Sequence, residues 1–261
     1  LLAAASQPFG WHGHTLEVSA SVGVVFYPQA YEMDAEQLLR QADQAMYQAK
    51  VAGKNRYQVF DVEQDRSLRG RHESLERIQQ GLDDGKFELH YQPKVNMRSG
   101  EVLGVEALLR WNHPTHGILP PGAFLDVIGD HPLHLQLGEW VIEQALAQIV
   151  AWKLAGLHMP VSVNVDGRQL QHPDFMARLQ ALLARHPAVQ RGDLGLEVLE
   201  SSALSDISHV SGVIDACEAL GVDFALDDFG TGYSSLTYLR RLPARVLKID
   251  KSFVQGMLED P

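Results

Sequence analysis

Asp227 and Asp228 stand side by side where an apolar run, VDFAL, gives way to a stretch carrying Gly230 and Gly232. Two adjacent carboxylates in such a place are the raw material of a site for hard divalent cations, which prefer oxygen ligands. Val222, Phe224 and Leu226 read as a buried strand, so both acids are expected where that strand ends and its loop begins. At a strand end the pleat no longer forces neighbouring side chains to opposite faces, and both can turn toward one cavity. Taken alone the pair has a plainer meaning, with Asp228 as a turn residue and Asp227 as a helix cap. Asp228-Phe229-Gly230 also spells the magnesium triplet of protein kinases, but no His-Arg-Asp loop lies upstream. Gly230-Thr231-Gly232 lacks the third glycine of a dinucleotide-binding loop.

Further polar residues recur on other strand-like runs. In VLGVEALLRW, Glu106, Leu108 and Arg110 share one face, while Val105, Ala107, Leu109 and Trp111 share the other. Asn164 closes the run VSVN, Glu197 lies within GLEVLE, and Lys248 within VLKID, where Asp250 faces the same way. Each has an ordinary alternative: a turn former, a salt-bridge partner, a lysine that snorkels from a strand end. Their recurrence on successive strands argues for a common use. An aspartate that bridges two ions holds them about 4 Å apart, the separation used in phosphoryl hydrolysis. One ion then polarises the phosphoryl oxygens, a bridging water attacks in line, and a lysine beside it steadies the developing charge.

The elements that must position these residues follow from periodicity. Phe87 to Val95 and Val102 to Trp111 alternate apolar and polar residues and are joined by NMRSGE, which makes an antiparallel hairpin. Apolar runs at Val161 to Val165, Leu194 to Leu199, Val222 to Leu226 and Val246 to Ile249 follow. Helical segments separate or flank them at Leu137 to Leu154, Asp174 to Ala184, Asp206 to Leu220 and Tyr233 to Arg240. Strand-then-helix repetition implies parallel strands with helical crossovers, an α/β class in which chemistry gathers outside the strands' carboxyl ends. Upstream, Leu1 to Ala5 reads as a helix tail, Thr15 to Val18 and Ser21 to Phe26 as short strands, and Arg56 to Phe60 as another. Between them Leu38, Leu39, Ala42, Ala45, Met46 and Ala49 recur at helical spacing over Ala35 to Lys50. Val62 to Gly85 is charged, with Leu68, Leu75 and Leu82 seven apart, and reads as a connecting helix with one apolar seam.

A chain of 261 residues with 45% hydrophobic content can bury one large core, or one core and part of another. A formal charge of −11 argues against a nonspecific DNA or RNA binder, and an anionic substrate would need cations recruited locally. The lone cysteine, Cys217, excludes a disulfide within the chain, fits a reducing cytoplasmic setting, and reads as a buried packing residue. No run of eighteen apolar residues and no charged-then-apolar leader is present, so the chain is expected to be soluble as given, with any membrane anchor lying upstream in a longer parent.

YQP at Tyr91 to Pro93, EALLRW at Glu106 to Trp111, HPTHG, LGEWVIEQAL, SVNVDGRQL, LEVLESSAL, DDFGTGYSSL and LPARVLKIDKSFV stand in this order. From about Ser74 onward the chain thereby resembles the EAL family of cyclic di-GMP phosphodiesterases. The resemblance implies a TIM-like (β/α) barrel whose first hairpin strand is antiparallel. It implies that Glu106, Asn164, Glu197 and Asp227 hold one metal ion and that Asp227 and Asp228 hold a second, the two being Mg or Mn. Lys248 would contact the attacking water. Glu200 would brace the loop from Asp228 to Leu236, which couples metal occupancy to dimer contacts. Lys248, Glu200 and Asp228 are thus the expected catalytic set, and Gln92, Leu108 and Arg110 the expected substrate contacts, Gln92 with guanine and Arg110 with phosphate. The implied reaction is hydrolysis of cyclic di-GMP to linear 5'-pGpG by a homodimer in bacterial second-messenger signalling. A non-catalytic cyclic di-GMP receptor is the alternative; such receptors typically lose one of the metal carboxylates, and each of those named above is present. Asp166-Gly167 departs from the Ser-Ala usual after the metal asparagine.

SVGVVFYP, ADQAMYQAK and GKN similarly resemble the closing third of a GGDEF (diguanylate cyclase) domain. Its signature loop does not occur here, so no cyclase is expected, although Lys50 and Lys54 match positions that approach nucleotide phosphates in that family. The expected organisation is a GGDEF part over 1–61, a helical linker over 62–85 and an EAL part over 86–261. Ser74 to Pro261 gives 188 residues and six strand candidates, against roughly 250 residues in a full barrel. The family's last two parallel strands have no counterpart, and a barrel lacking two staves is expected to be unstable or swapped.

Overall fold

The structure, a computed structural model, describes residues 1–12, 14–29, 33–205, 207–230 and 244–255. The chain divides into two compact units, 1–72 and 73–261. In the first, a short α1 (Leu2–Ala5) precedes an antiparallel pair, β1 (Phe9–Trp11) and β2 (His14–Leu16). β3 (Ser21–Val24) and β4 (Arg56–Val59) then pair in parallel, with α2 (Ala35–Val51) between them in sequence. α2 opens on a capping box, Asp34 accepting from the Gln37 amide and Gln37 from the Asp34 amide. It lies so close to β3 that a Cβ on Gly23 would fall 1.9 Å from the Ala42 carbonyl oxygen. β2 and β3 are shorter than expected, ending at Leu16 and Val24.

α3 (Val62–Asp83) is one continuous helix, as its seam implied, and contributes residues to both units. Ile78 is buried in the core of the second unit, and Leu75 and Leu82 pack against that core.

The second unit is built on one sheet in the order β11-β10-β9-β8-β6-β5, with β7 (Gly117–Leu119) added at the end of β6. β5 (Phe87–Val95) runs antiparallel to β6 (Val102–His113), whereas β6, β8 (Val161–Asn164), β9 (Leu194–Leu199), β10 (Asp223–Phe229) and β11 (Val246–Ile249) are parallel. The crossovers carry α4 (Leu125–Ile128), α5 (Leu133–Leu154), α6 (Gly167–Leu170), α7 (Phe175–Arg185), α8 (Glu200–Ser205) and α9 (Ile207–Ala219), and α10 (Lys251–Val254) follows β11. This is the wall of a (β/α) barrel whose first strand is reversed, the expected class. Val105, Ala107, Leu109, Val163, Leu196 and Leu226 turn outward and are buried with apolar side chains of α5, α7 and α9, among them Leu146, Leu179 and Ile214. Because the pleat has a period of two, that packing sends Glu106, Asn164, Glu197 and Asp227 to the opposite face.

Two local readings are corrected. α5 starts at Leu133, directly after Pro132, rather than at Leu137; a proline just ahead of a first turn removes no hydrogen bond the helix needs. β10 does not end before its acids but continues through both to Phe229. Asp227 pairs with Leu199 of β9, and the register against β11 shifts between Leu226 and Phe229. A bulge inside the strand, rather than a strand end, frees the two neighbouring carboxylates from the pleat. The helix expected over Tyr233 to Arg240 lies outside the described residues, as does most of the loop assigned to Glu200. No described helix is long and apolar enough to cross a membrane.

A candidate divalent-metal centre

Glu106, Glu197 and Asp227 come from three strands, yet one carboxylate oxygen of each lies within 4.8 Å of the others. Lys248 reaches into this group from β11. Its Nζ donates to Oε2 of Glu106 at 3.0 Å, Oε2 of Glu197 at 2.5 Å and Oδ2 of Asp227 at 2.9 Å. Asn164, at the end of β8, donates from Nδ2 to Oε1 of Glu106 at 2.7 Å. The five residues expected around one ion and its water are therefore a single hydrogen-bonded cluster.

Electrostatics explains why the lysine sits there. Glu197 is 1 % exposed, and a buried carboxylate is costly without a counter-charge. Burial alone disfavours the Lys248 ammonium, but its hydrogen bonds to Glu197, Asp227 and Glu106 prevail and hold its pKa above the ordinary lysine value. Three carboxylates and a side-chain amide, with neither thiolate nor imidazole among them, form a donor set of hard oxygens, which suits Mg, Mn or Ca rather than a soft metal.

Asp228 adopts φ +53°, and its amide donates to Oδ1 of Asp227 at 3.0 Å. Its carboxyl pKa is raised by burial first, then by the charge of Asp227 and by the charge and hydrogen bond of Asp250. A cation between Asp227 and Asp228 would relieve that crowding of negative charge. Glu200 opens α8 and is 3 % exposed. Its Oε2 accepts from the Gly230 amide at 2.8 Å, while Oε1 is buried with no hydrogen-bond partner among the described residues.

Beside the cluster lies a cavity of about 320 Å³, lined in part by Leu108, His134, Asn164, Asp166, Arg168 and Glu197. Arg168 holds the Asp166 carboxyl below the usual carboxylate range and also reaches Asp130 at 3.1 Å. Of the expected substrate contacts, Leu108 lines this cavity, and Gln92 and Arg110 do not. Gln92 is exposed opposite Glu106 in the β5–β6 pairing, and Arg110 donates from Nη1 to the Leu109 carbonyl at 2.8 Å. Lys94 and Ser162 belong to the cluster and were not anticipated. Lys94 Nζ lies 2.5 Å from Oγ of Ser162 and 3.3 Å from Oε1 of Glu197. The alternation of β5 carried the signal, since Lys94 is two residues from Gln92 and shares its face.

A family model described as "EAL domain" matches residues 75–261, and one described as "Diguanylate cyclase, GGDEF domain" matches residues 1–56. The bifunctional diguanylate cyclase/cyclic di-GMP phosphodiesterase MucR of Pseudomonas aeruginosa is 40% identical over 257 residues, which covers 98% of this chain and 37% of the relative. The cyclic di-GMP phosphodiesterase NbdA of the same organism is 37% identical over 256 residues, covering 96% and 32%. The chain thus spans about a third of the length of these curated relatives. The solved structure of the PaMucR phosphodiesterase in complex with c-di-GMP matches with a TM-score of 0.68 at 41% identity, over 72% of this chain and 76% of that one. With the parallel wall, its reversed first strand and a family match over residues 75–261, the chain belongs to the EAL domain family, and that unit follows part of a GGDEF domain.

Proposed function

We propose that this chain hydrolyses one phosphodiester of cyclic di-GMP, giving linear 5'-pGpG, with two Mg or Mn ions. The observation that carries the reading is the convergence of Glu106, Glu197 and Asp227 oxygens within 4.8 Å around the Lys248 ammonium. The names of MucR, NbdA and the PaMucR complex supply the substrate.

Glu106, Asn164, Glu197 and Asp227 would hold the first ion, and Asp227 with Asp228 the second. Such ions, when bound, polarise phosphoryl oxygens and acidify water. Lys248 is within hydrogen-bonding reach of three of these residues and, once moved aside by the ion, would donate to the attacking oxygen and steady the charge that develops. Glu200, by accepting from Gly230, fixes the chain just beyond Asp228. Leu108 offers an apolar wall of the cavity to a base; Gln92 and Arg110, on the inward faces of β5 and β6 but outside that lining, would meet guanine and phosphate.

Residues 1–61 would be the closing part of a GGDEF domain, 62–85 a linker and 86–261 the phosphodiesterase, a division supported by the unbroken α3. The family resemblance supports a cytoplasmic homodimer formed through the EAL unit. The test is product analysis of the chain, and of its longer parent, with cyclic di-GMP and Mn. Linear dinucleotide that disappears on chelation is expected. Binding without cleavage would replace the enzyme with a receptor.

A further inference from the structure

Glu197 is gripped from two sides. Lys248 takes Oε2 at 2.5 Å and Lys94 takes Oε1 at 3.3 Å, so neither oxygen of this buried acid is left to itself. Lys94 comes from far away in the sheet. It stands beside Gly104 in the β5–β6 pairing, and its ammonium extends past β6 to Ser162 on β8 and Glu197 on β9. Two glycines share the inward face that it crosses. Gly104 and Gly195 stand two residues before Glu106 and Glu197, one inward step below each. A Cβ on Gly195 would come within 3.0 Å of the Ser162 hydroxyl oxygen. Lys94 of β5, Ser162 of β8 and Glu197 of β9 are thus joined across the sheet by one ammonium.

Building on the reading of the cluster as a metal centre, we propose that Lys94 is a positioning residue for Glu197. It occupies Oε1 and so presents Glu197 to the ion through Oε2 alone. A carboxylate offered by one oxygen fits Mg, which demands near-octahedral geometry and short bonds. A carboxylate free to turn offers both oxygens, an arrangement that Ca accepts readily at longer distances. Lys94 is thereby a determinant of which divalent ion the site prefers, through a residue that need not touch the ion.

The test is calorimetric titration of the chelator-treated chain with Mg and, separately, with Ca, for the wild type, Lys94→Met and Lys94→Arg. In Lys94→Met, Mg affinity is expected to fall about tenfold, the usual scale for losing a residue that orients a metal ligand. Ca affinity should hold or rise, and Lys94→Arg should return the Mg-to-Ca ratio toward the wild-type value. Loss of a nearby positive charge raises both affinities alike, and a folding defect lowers both alike, so the ratio isolates orientation. Should Lys94→Met fail to melt cooperatively, Ser162→Ala removes the other partner of the same ammonium and is expected to shift the ratio in the same direction. A Lys94→Met ratio within about twofold of wild type overturns the inference alone. A wild-type chain that binds neither ion overturns it together with the metal-centre reading.

Discussion

The ammonium of Lys248 lies 2.5 Å from Oε2 of Glu197, at the point on which Glu106 and Asp227 also converge. A cation held by those same oxygens cannot share that point with the lysine nitrogen. A metal ion bound there as proposed would therefore have to displace the ammonium from the centre of the cluster. Lys248→Met should lower the stability of the metal-free chain by about 3 kcal/mol, because Glu197 loses a hydrogen-bonded counter-charge while still buried. It should also enlarge the rise in Tm that Mg produces, since the competing cation is gone, while product formation is lost. Thermal melts with chelator and with Mg check both effects; a metal-free variant that melts with the wild type contradicts them.

Asp228 carries its carboxylate on a backbone at φ +53°, a region that Asp and Asn tolerate and β-branched residues resist. Backbone and side-chain roles can consequently be separated. Asp228→Asn should stay within about 0.5 kcal/mol of wild type, yet, on the proposed two-ion reading, lose hydrolysis with the carboxylate that would hold the second ion. Asp228→Val should lose hydrolysis and about 1–3 kcal/mol of stability as well. Denaturant melts paired with product analysis distinguish the two.

The legibility of the site follows the same division. The faces of VLGVEALLRW could be read directly, because a strand's period of two is fixed by covalent geometry, and Glu106, Leu108 and Arg110 lie together as that period requires. The bulge at Asp228 could not be read, since it is a register shift against β11, which begins at Val246, and no local residue announces it. The reach of Lys94 was hidden for a related reason. It is decided by its partners, Ser162 and Glu197, on two other strands. β7 is only three residues long and exists through pairing with the end of β6, so its own sequence carries almost no strand signal. What local periodicity dictates was visible, and what cross-strand partners decide was not.

Glu200 holds the Gly230 amide through Oε2 and keeps Oε1 buried without a partner among the described residues. Gly230 has φ +101°, and a Cβ there would lie 2.8 Å from the ring of Phe253. Glu200→Ala leaves the Gly230 N–H unpaired and should cost about 1–3 kcal/mol, with hydrolysis reduced through displacement of Asp228. Glu200→Gln keeps an acceptor and removes a buried charge, so it should be at least as stable as wild type and retain most activity. A Glu200→Gln variant as impaired as Glu200→Ala would show that the charge, rather than the hydrogen bond, is what matters; melts and initial rates on both variants decide.

Glu143 joins two crossover helices away from the site, accepting from Nη2 of Arg185 at 2.6 Å and bonding with Nε2 of His186 at 3.0 Å. Burial alone pushes its pKa up, but the hydrogen bonds and charges of Arg185 and His186 outweigh it and place the folded value below the ordinary 4.5. A carboxylate with a depressed folded pKa stabilises the protein above its unfolded value and loses that contribution as pH falls through the folded one. The α5–α7 contact should accordingly weaken below pH 4.5. Glu143→Gln lacks this titration, so its Tm should lie below wild type near neutrality and fall less steeply on acidification, the two curves drawing together at low pH. Melting curves recorded from about pH 6 to about pH 3 test this, and parallel curves for the two proteins would mean that the Glu143 ion pairs contribute nothing to stability.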